Sequence, residues 1–288
     1  MTALQVEPLQ AALGARVHGL RLDRVPDAAV REAIEAALER HGVLVFPDQT
    51  LSPADQVAFS RAFADLLEPN NSKAKVPGFP EVFAIGNQGS ELVTFSPLDP
   101  NGLLEWHADH MHVQRPARAS LLYALQVPPT GGETHFSCMY AAFDALSEAD
   151  KALARSLRAV HSVSGLNRFL DEHSVARASK DDFGGRAAPT VSWPLVRHHP
   201  RSGRESLYFG SHVTIGIEGW DESRALAFID GLTELANRPE HRYSHCWQAG
   251  DAVLWDNRRV LHAGGAYDVH NHPREMHRTT WAEDRPIC

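Results

Sequence analysis

The 288-residue chain is poor in cysteine, in basic residues and in long apolar runs. Its three cysteines, Cys138, Cys246 and Cys288, are far apart and odd in number, which excludes a disulfide scaffold and fits a reducing cytoplasm. Cys138 and Cys246 read as small buried apolar residues. No apolar stretch of about 18 residues occurs, so no membrane span is expected. Residues 1–12 lack a basic segment followed by an apolar one, so no secretory leader is expected. Lys and Arg number 28 against 36 Asp and Glu, a formal net charge of −8, with no block of like charge. Nucleic acid and anionic lipid are poor partners for such a surface. No internal repeat is visible, which excludes solenoids and propellers. H-E-x-x-H and C-x-x-C are both missing, which argues against a zinc hydrolase.

What the chain does have is an ordinary globular composition, 43% hydrophobic and 22% charged. With no linker in view, residues 1–288 read as a single domain. Residues 4–22 suggest short strands punctuated by Gly14 and Gly19. Apolar residues at helical spacing (Val30, Ile34, Ala37, Leu38) predict a helix over 27–40, ended by His41-Gly42 and followed by a buried strand over 42–46. Ser52 and Pro53 open a second helix, expected to run to near Pro69. From about Pro80 the pattern is mainly β: short runs at 81–85, 120–126, 133–137, 192–198, 206–209, 243–248, 252–256 and 274–281. Helices are expected over 141–160 and 221–237, and hairpin turns at 200–203 and 249–251. This is the pattern of a β-sandwich or barrel with flanking helices. The polar segment 165–189 reads as a surface loop or an active-site lid.

Chemistry concentrates in Glu105-Trp106-His107-Ala108-Asp109-His110. On an extended chain residues i and i+2 face one side, so His107 and Asp109 present an imidazole and a carboxylate to one point. An H-x-D pair arises readily by chance among 17 histidines. With a third ligand, for which His262 is the candidate, the set becomes two imidazoles and a carboxylate with open positions, the facial triad of non-haem Fe(II) oxygenases. Further on, Arg274 and Arg278 share one face of a strand. A buried guanidinium cannot lose its proton, so each needs an anion, from the chain or from small carboxylates. Thr134 offers a hydroxyl to the same end.

These segments, taken in order, resemble the TauD/TfdA family of Fe(II)- and 2-oxoglutarate-dependent dioxygenases. Trp106-His107-Ala108-Asp109 is similar to the family's W-H-x-D, and Pro128-Pro129-Thr130-Gly131-Gly132-Glu133-Thr134 to its P-x-x-G-G-[DEN]-T. Trp255-Asp256-Asn257-Arg258 leading to His262, and Arg274-Glu275-Met276-His277-Arg278, resemble its two C-terminal blocks. The resemblance extends over nearly the whole chain. It implies a double-stranded β-helix (jelly roll) with helices on one face, and His107, Asp109 and His262 as iron ligands. It also implies Thr134 and Arg274 at the C5 carboxylate of 2-oxoglutarate, and Arg278 at the acidic group of the primary substrate. The expected co-reactants are Fe(II), 2-oxoglutarate and O2. The expected reaction is hydroxylation of a C–H bond in a small anionic substrate (a carboxylate or sulfonate, in one form aryloxyalkanoate-like) with release of succinate and CO2. An intact Asp109 argues against halogenation. A homo-oligomer, dimer or tetramer, and a cytoplasmic location are expected.

His212 and Asn70 fall where the family contacts substrate, as do Asn71 and Asn87, for which turn chemistry is the alternative. The taurine-type enzymes carry a His and a Tyr after the second helix. Here that stretch reads Pro69-Asn70-Asn71-Ser72-Lys73, which speaks against taurine itself. Lys73 and Lys75 read as exposed or at a pocket mouth. Trp106 reads as packing, His110, His112 and His135 as solvent-facing or hydrogen-bonded, and His198, His199, His270 and His272 as surface residues. Two rival readings are an oxygenase acting on an amino-acid-derived biosynthetic intermediate and a catalytically idle β-helix protein that binds a metal or an acid.

Overall fold

A computed structural model describes residues 4–69, 74–88, 105–173 and 187–284. In chain order its elements are β1 (Gln5–Pro8), β2 (Ala15–His18), α1 (Ala28–His41), β3 (Val43–Phe46), α2 (Pro53–Arg61), β4 (Leu66–Leu67), β5 (Lys75–Val76) and β6 (Phe79–Gly86). There follow β7 (Ala117–Gln126), β8 (Thr134–Cys138), α3 (Met139–Asp144), α4 (Glu148–Ser156), β9 (Arg158–His161), α5 (Val163–His173), β10 (Val191–Pro194) and β11 (Val196–His198). The last are β12 (Glu205–Leu207), β13 (Thr214–Ile217), α6 (Glu222–Ala236), β14 (Arg242–His245), β15 (Ala252–Asp256), β16 (Val260–Gly264) and β17 (Glu275–Ala282).

The large sheet runs β1-β2-β3-β15-β7-β17-β6-β5, with β4 beside β17. All its pairings are antiparallel except β2 with β3. A smaller antiparallel sheet, β14-β8-β16, faces it. The two sheets form the expected double-stranded β-helix. Period-two alternation decides which residues enter the space between them. Val43 and Val45 of β3, Val253 and Trp255 of β15, Leu122 of β7 and Met276 of β17 point inward, against Phe136 and Val260 of the small sheet. Their neighbours Leu44, Phe46, Leu254, Leu121 and Trp281 point outward into a second apolar layer that includes Ile34 and Leu38 of α1 and Phe59 of α2. Strands buried on both faces read as unbroken apolar runs, which is why β3 and β15 stand out in the sequence.

Helix boundaries follow the capping residues. The Asp27 side chain accepts from Val30 N at 2.8 Å, and Gly42, at φ 74°, closes α1 and turns the chain straight into β3. Ser52 and Asp55 form a reciprocal capping box at the start of α2.

Several expectations are corrected. Helices lie outside both sheets rather than on one face: α1 and α2 cover the large sheet, whereas Ala142, Phe143 and Ile229 of α3 and α6 pack on Leu261 and Ala263, the outer face of β16. The helix expected over 141–160 is broken, because Ser147 caps a new helix and Leu157 is extended, freeing β9 to pair with β10 and β13. The run 192–198 divides at buried Leu195 into strands of two different sheets. Helix α2 ends at Arg61, and Leu66-Leu67 pairs instead with β17. The turn at 249–251 is no hairpin: Gly250 N bonds Ala124 O at 2.8 Å, carrying the chain from the small sheet to the large one. Residues 165–173 of the supposed loop belong to helix α5. Residues 174–186 lie outside the described ones, as do Asn70, Asn71 and Lys73. Cys246 is exposed, because neither sheet covers the end of β14. His199 is fully buried, since Asp256 lies 2.9 Å from its Nε2 in the interior.

Candidate active site

His107 and His262 come together through the backbone. His107 N bonds His262 O at 3.0 Å and His262 N bonds His107 O at 2.8 Å, an isolated antiparallel bridge on the edge of β16. Alternation along β16 turns Val260, and with it His262, toward the space between the sheets, and the two imidazole rings sit 4.2 Å apart. Asp109 enters from two residues further on, at the turn that follows the His107 bridge. One ligand atom from each of His107, Asp109 and His262 lies within 4.8 Å of the others.

The carboxylate of Asp109 is buried and held at both oxygens. Ser120 Oγ donates to Oδ2 at 2.6 Å, and Arg278 Nη1 donates to Oδ1 at 2.5 Å. Asn257 fixes the orientation: its Oδ1 accepts from Asp109 N at 3.1 Å and from Trp255 Nε1 at 3.0 Å, while its Nδ2 donates to Ser120 Oγ at 3.0 Å. Ser120 is thereby left with its own proton for Asp109. Burial alone would raise the pKa of Asp109. Arg278 and the two imidazoles, aided by Ser120, instead hold it well below the usual carboxylate range.

His107 has a carboxylate of its own. Glu105 Oε2 lies 2.6 Å from His107 Nδ1, so Nδ1 donates and Nε2 is the free ligand atom. Burial opposes protonation, but Glu105, with help from Asp109, raises the His107 pKa to about 9. For His262, burial and the neighbouring His107 outweigh Asp109 and keep the ring neutral. Two imidazoles and an ionised carboxylate gathered on one side of a point suit a divalent iron ion, with the remaining positions turned to the pocket.

That pocket, about 570 Å³ with its open mouth included, is lined by His107 and His262 and by Thr134, Tyr267, Arg274 and Arg278. Arg274 is buried, and no carboxylate pairs with its guanidinium among the described residues; its Nε has no partner. Burial lowers its pKa, yet an arginine stays charged, so among the described residues the site holds a cation without a carboxylate partner. Asn87 braces this arginine rather than forming a simple turn: its Oδ1 accepts from Arg274 N at 2.7 Å and its Nδ2 donates to Val269 O and His272 O at 2.7 and 2.8 Å. Just before it, Gly86 (φ 152°) pairs with Glu275; a Cβ there would stand 1.9 Å from Arg274 O. Arg278, expected to be free for a ligand, spends one edge on Asp109 and lies over Phe83 at 5.2 Å.

Of the sequence-derived candidates, His107, Asp109, His262, Thr134, Arg274 and Arg278 converge here. His212 does not line the pocket; its ring stacks on Phe169 of α5 at 3.7 Å. Asn70 falls outside the described residues, and Lys75 pairs with Glu68. Glu105, Ser120 and Trp247 carry no assigned role in the sequence reading. Glu105 could have been found from its place beside the H-x-D pair, whereas Ser120 and Trp247 meet their partners only across strands.

A jelly roll that turns such a donor set toward an anion-seeking pocket defines a class, the Fe(II)- and 2-oxoglutarate-dependent dioxygenases. Within it, the chain belongs to the taurine catabolism dioxygenase TauD, TfdA family, whose pattern it matches over residues 5–280. An alpha-ketoglutarate-dependent 2,4-dichlorophenoxyacetate dioxygenase of Cupriavidus pinatubonensis is 34% identical over 296 residues, covering 97% of this chain and 98% of the relative. An (S)-phenoxypropionate/alpha-ketoglutarate-dioxygenase of Delftia acidovorans is 33% identical over 276 residues, 93% of this chain and 91% of the relative. The crystal structure of a taurine dioxygenase from Burkholderia xenovorans superposes with a TM-score of 0.81 at 31% identity, covering 99% of this chain and 91% of that one. The structure of AAD-2 in complex with Mn(II) and N-oxalylglycine gives 0.79 at 30% identity, covering 99% of both. No helix among the described residues is long and apolar enough to cross a membrane.

Proposed function

We propose that this enzyme hydroxylates a C–H bond of a small organic acid, a carboxylate or sulfonate of aryloxyalkanoate-like form. His107, Asp109 and His262 hold Fe(II); Thr134 and Arg274 hold the C5 carboxylate of 2-oxoglutarate; Arg278 receives the acidic group of the substrate. Bound there, iron supplies the O2-dependent decarboxylation of 2-oxoglutarate to succinate and CO2 that is coupled to hydroxylation. The chain's own residues orient and exclude. Ser120 and Asn257 fix the Asp109 carboxylate, Glu105 fixes the tautomer of His107, and the apolar walls Ile85, Leu122 and Trp255 keep water from the reacting end. Arg278 ties substrate position to Asp109, and so to the reacting centre.

The observation that carries this reading is the buried guanidinium of Arg274, which has no carboxylate partner among the described residues, in the pocket that His107 and His262 line. A buried positive charge left unpaired is costly unless a ligand supplies the anion. The phenoxyalkanoate relatives support the choice of substrate class. We place the activity in one domain, residues 1–288, in a cytoplasmic homo-oligomer, dimer or tetramer; the low cysteine content supports the compartment, and the family and chain length support the assembly. Anaerobic Fe(II) and 2-oxoglutarate are expected to give a visible charge-transfer band, which a true substrate shifts. Screening aryloxyalkanoates, sulfonates and N-substituted amino acids for that shift, then for succinate release, tests the assignment. A band that no organic acid perturbs, with no acid-stimulated succinate, contradicts it.

A further inference from the structure

Thr134 Oγ1 accepts a hydrogen bond from Trp247 Nε1 at 3.0 Å. An indole N–H can only donate, so the direction of this bond is fixed. A threonine hydroxyl has one proton, and with Oγ1 accepting from Trp247 that proton is left for another partner. Thr134 is buried on the pocket wall it shares with Arg274, and no acceptor takes its proton among the described residues. The indole is itself clamped. It meets the ring of His245 edge-on at 4.5 Å, and His245 is bonded to Tyr243 Oη at 2.8 Å and to Asp251 Oδ2 at 3.1 Å. His245 lies opposite Thr134 in the register of β14 with β8, so clamp and hydroxyl belong to one rigid unit.

We propose that Trp247 is a positioning residue for the co-substrate: by occupying a lone pair of Thr134 Oγ1 it turns the hydroxyl proton into the pocket, toward the carboxylate beside Arg274. This rests on the reading that Thr134 and Arg274 bind 2-oxoglutarate. Without the indole N–H the hydroxyl rotates freely and spends part of its time with a lone pair facing the anion. Trp247 also sits behind Thr134 and leaves the metal ligands untouched.

The test is a double-mutant cycle on the Fe(II)-loaded enzyme, titrated anaerobically with 2-oxoglutarate, with Fe(II) affinity measured alongside. Thr134→Val is expected to weaken 2-oxoglutarate binding roughly 10- to 100-fold, the worth of a hydrogen bond to a charged group. Trp247→Phe is expected to weaken it roughly three- to tenfold in the native background and not at all in the Thr134→Val background, with Fe(II) affinity unchanged in both. An equal loss in both backgrounds makes Trp247 plain wall packing and overturns the inference while leaving the co-substrate site intact. No effect of Thr134→Val removes the site itself, and the inference with it. If Trp247→Phe does not fold, β-(3-benzothienyl)alanine at position 247 replaces the N–H by sulfur at nearly constant shape. The same background-dependent loss supports the role, and native affinity refutes it.

Discussion

His107 and His262, from two stretches distant in sequence, exchange both of their backbone hydrogen bonds, at 3.0 and 2.8 Å. The ligands are therefore assembled by the fold and do not wait for the ion. Chelation is expected to leave the far-UV circular dichroism unchanged while abolishing turnover, and Fe(II) to restore it. His107→Ala and His262→Ala keep the backbone bridge, so both should fold and fail to bind Fe(II). Normal iron binding by either variant removes that residue from the site.

Arg274 is expected to serve the ligand at the expense of the fold. Replacing it with Met removes a buried cation that no carboxylate neutralises among the described residues. The ligand-free variant should gain roughly 1–3 kcal/mol, a rise of about 2–8 °C in Tm at this chain length, and lose 2-oxoglutarate binding. Differential scanning calorimetry with and without 2-oxoglutarate reads both effects. A less stable Arg274→Met would point to an internal anion.

The link between Arg278 and Asp109 makes substrate and metal sites interdependent. Arg278→Ala should weaken primary-substrate binding by tenfold or more, about 1.4 kcal/mol. It should also lower Fe(II) affinity measurably, because Asp109 loses its main electrostatic support. Loss of 2-oxoglutarate binding alone would mean that the two arginines have been interchanged.

Glu105 presses one oxygen on His107, and its other oxygen is buried without a partner among the described residues. A carboxylate in that position makes the imidazole a better ligand. Glu105→Gln, which keeps the shape and loses the charge, should reduce Fe(II) affinity by about tenfold with little change in Tm. Titration with Co(II), followed by its visible bands, measures this directly.

His161 gives the protein an acid-sensitive margin away from the metal site. It is fully buried, with Nδ1 3.0 Å from Thr214 Oγ1, and burial, with His112 nearby, pushes its pKa down to about 3. An unfolded histidine titrates near 6.5, so below that pH the unfolded chain takes up a proton that the folded one refuses. The contribution is complete above about pH 6.5 and is lost as pH falls toward the folded value, by up to about 1.4 kcal/mol per pH unit. Urea unfolding at about pH 7.5 and about pH 5 should show this fall, and His161→Gln should flatten it. An unchanged slope in the variant assigns the fall to other groups.

The parts legible in the sequence are those whose cause is local. The cap at Ser52, the apolar runs of β3 and β15, and the i, i+2 spacing of His107 and Asp109 each depend on a few neighbouring residues, and each stands where it was expected. What was hidden depends on partners from other strands. Nothing near Leu195 announces that its two flanking strands join different sheets, and nothing near His199 announces Asp256. Arg278 was legible as an anion seeker, but its bond to Asp109 arises from the register of β17 against β7, which local spacing does not encode.

Gly86 has no side chain, and the carbonyl of Arg274 fills the place where a methyl group would stand. Any missense change of that codon must drive the two chain segments apart and carry the guanidinium with them. A heritable loss of co-substrate recognition can therefore begin at a residue that an inventory of chemically active side chains would pass over.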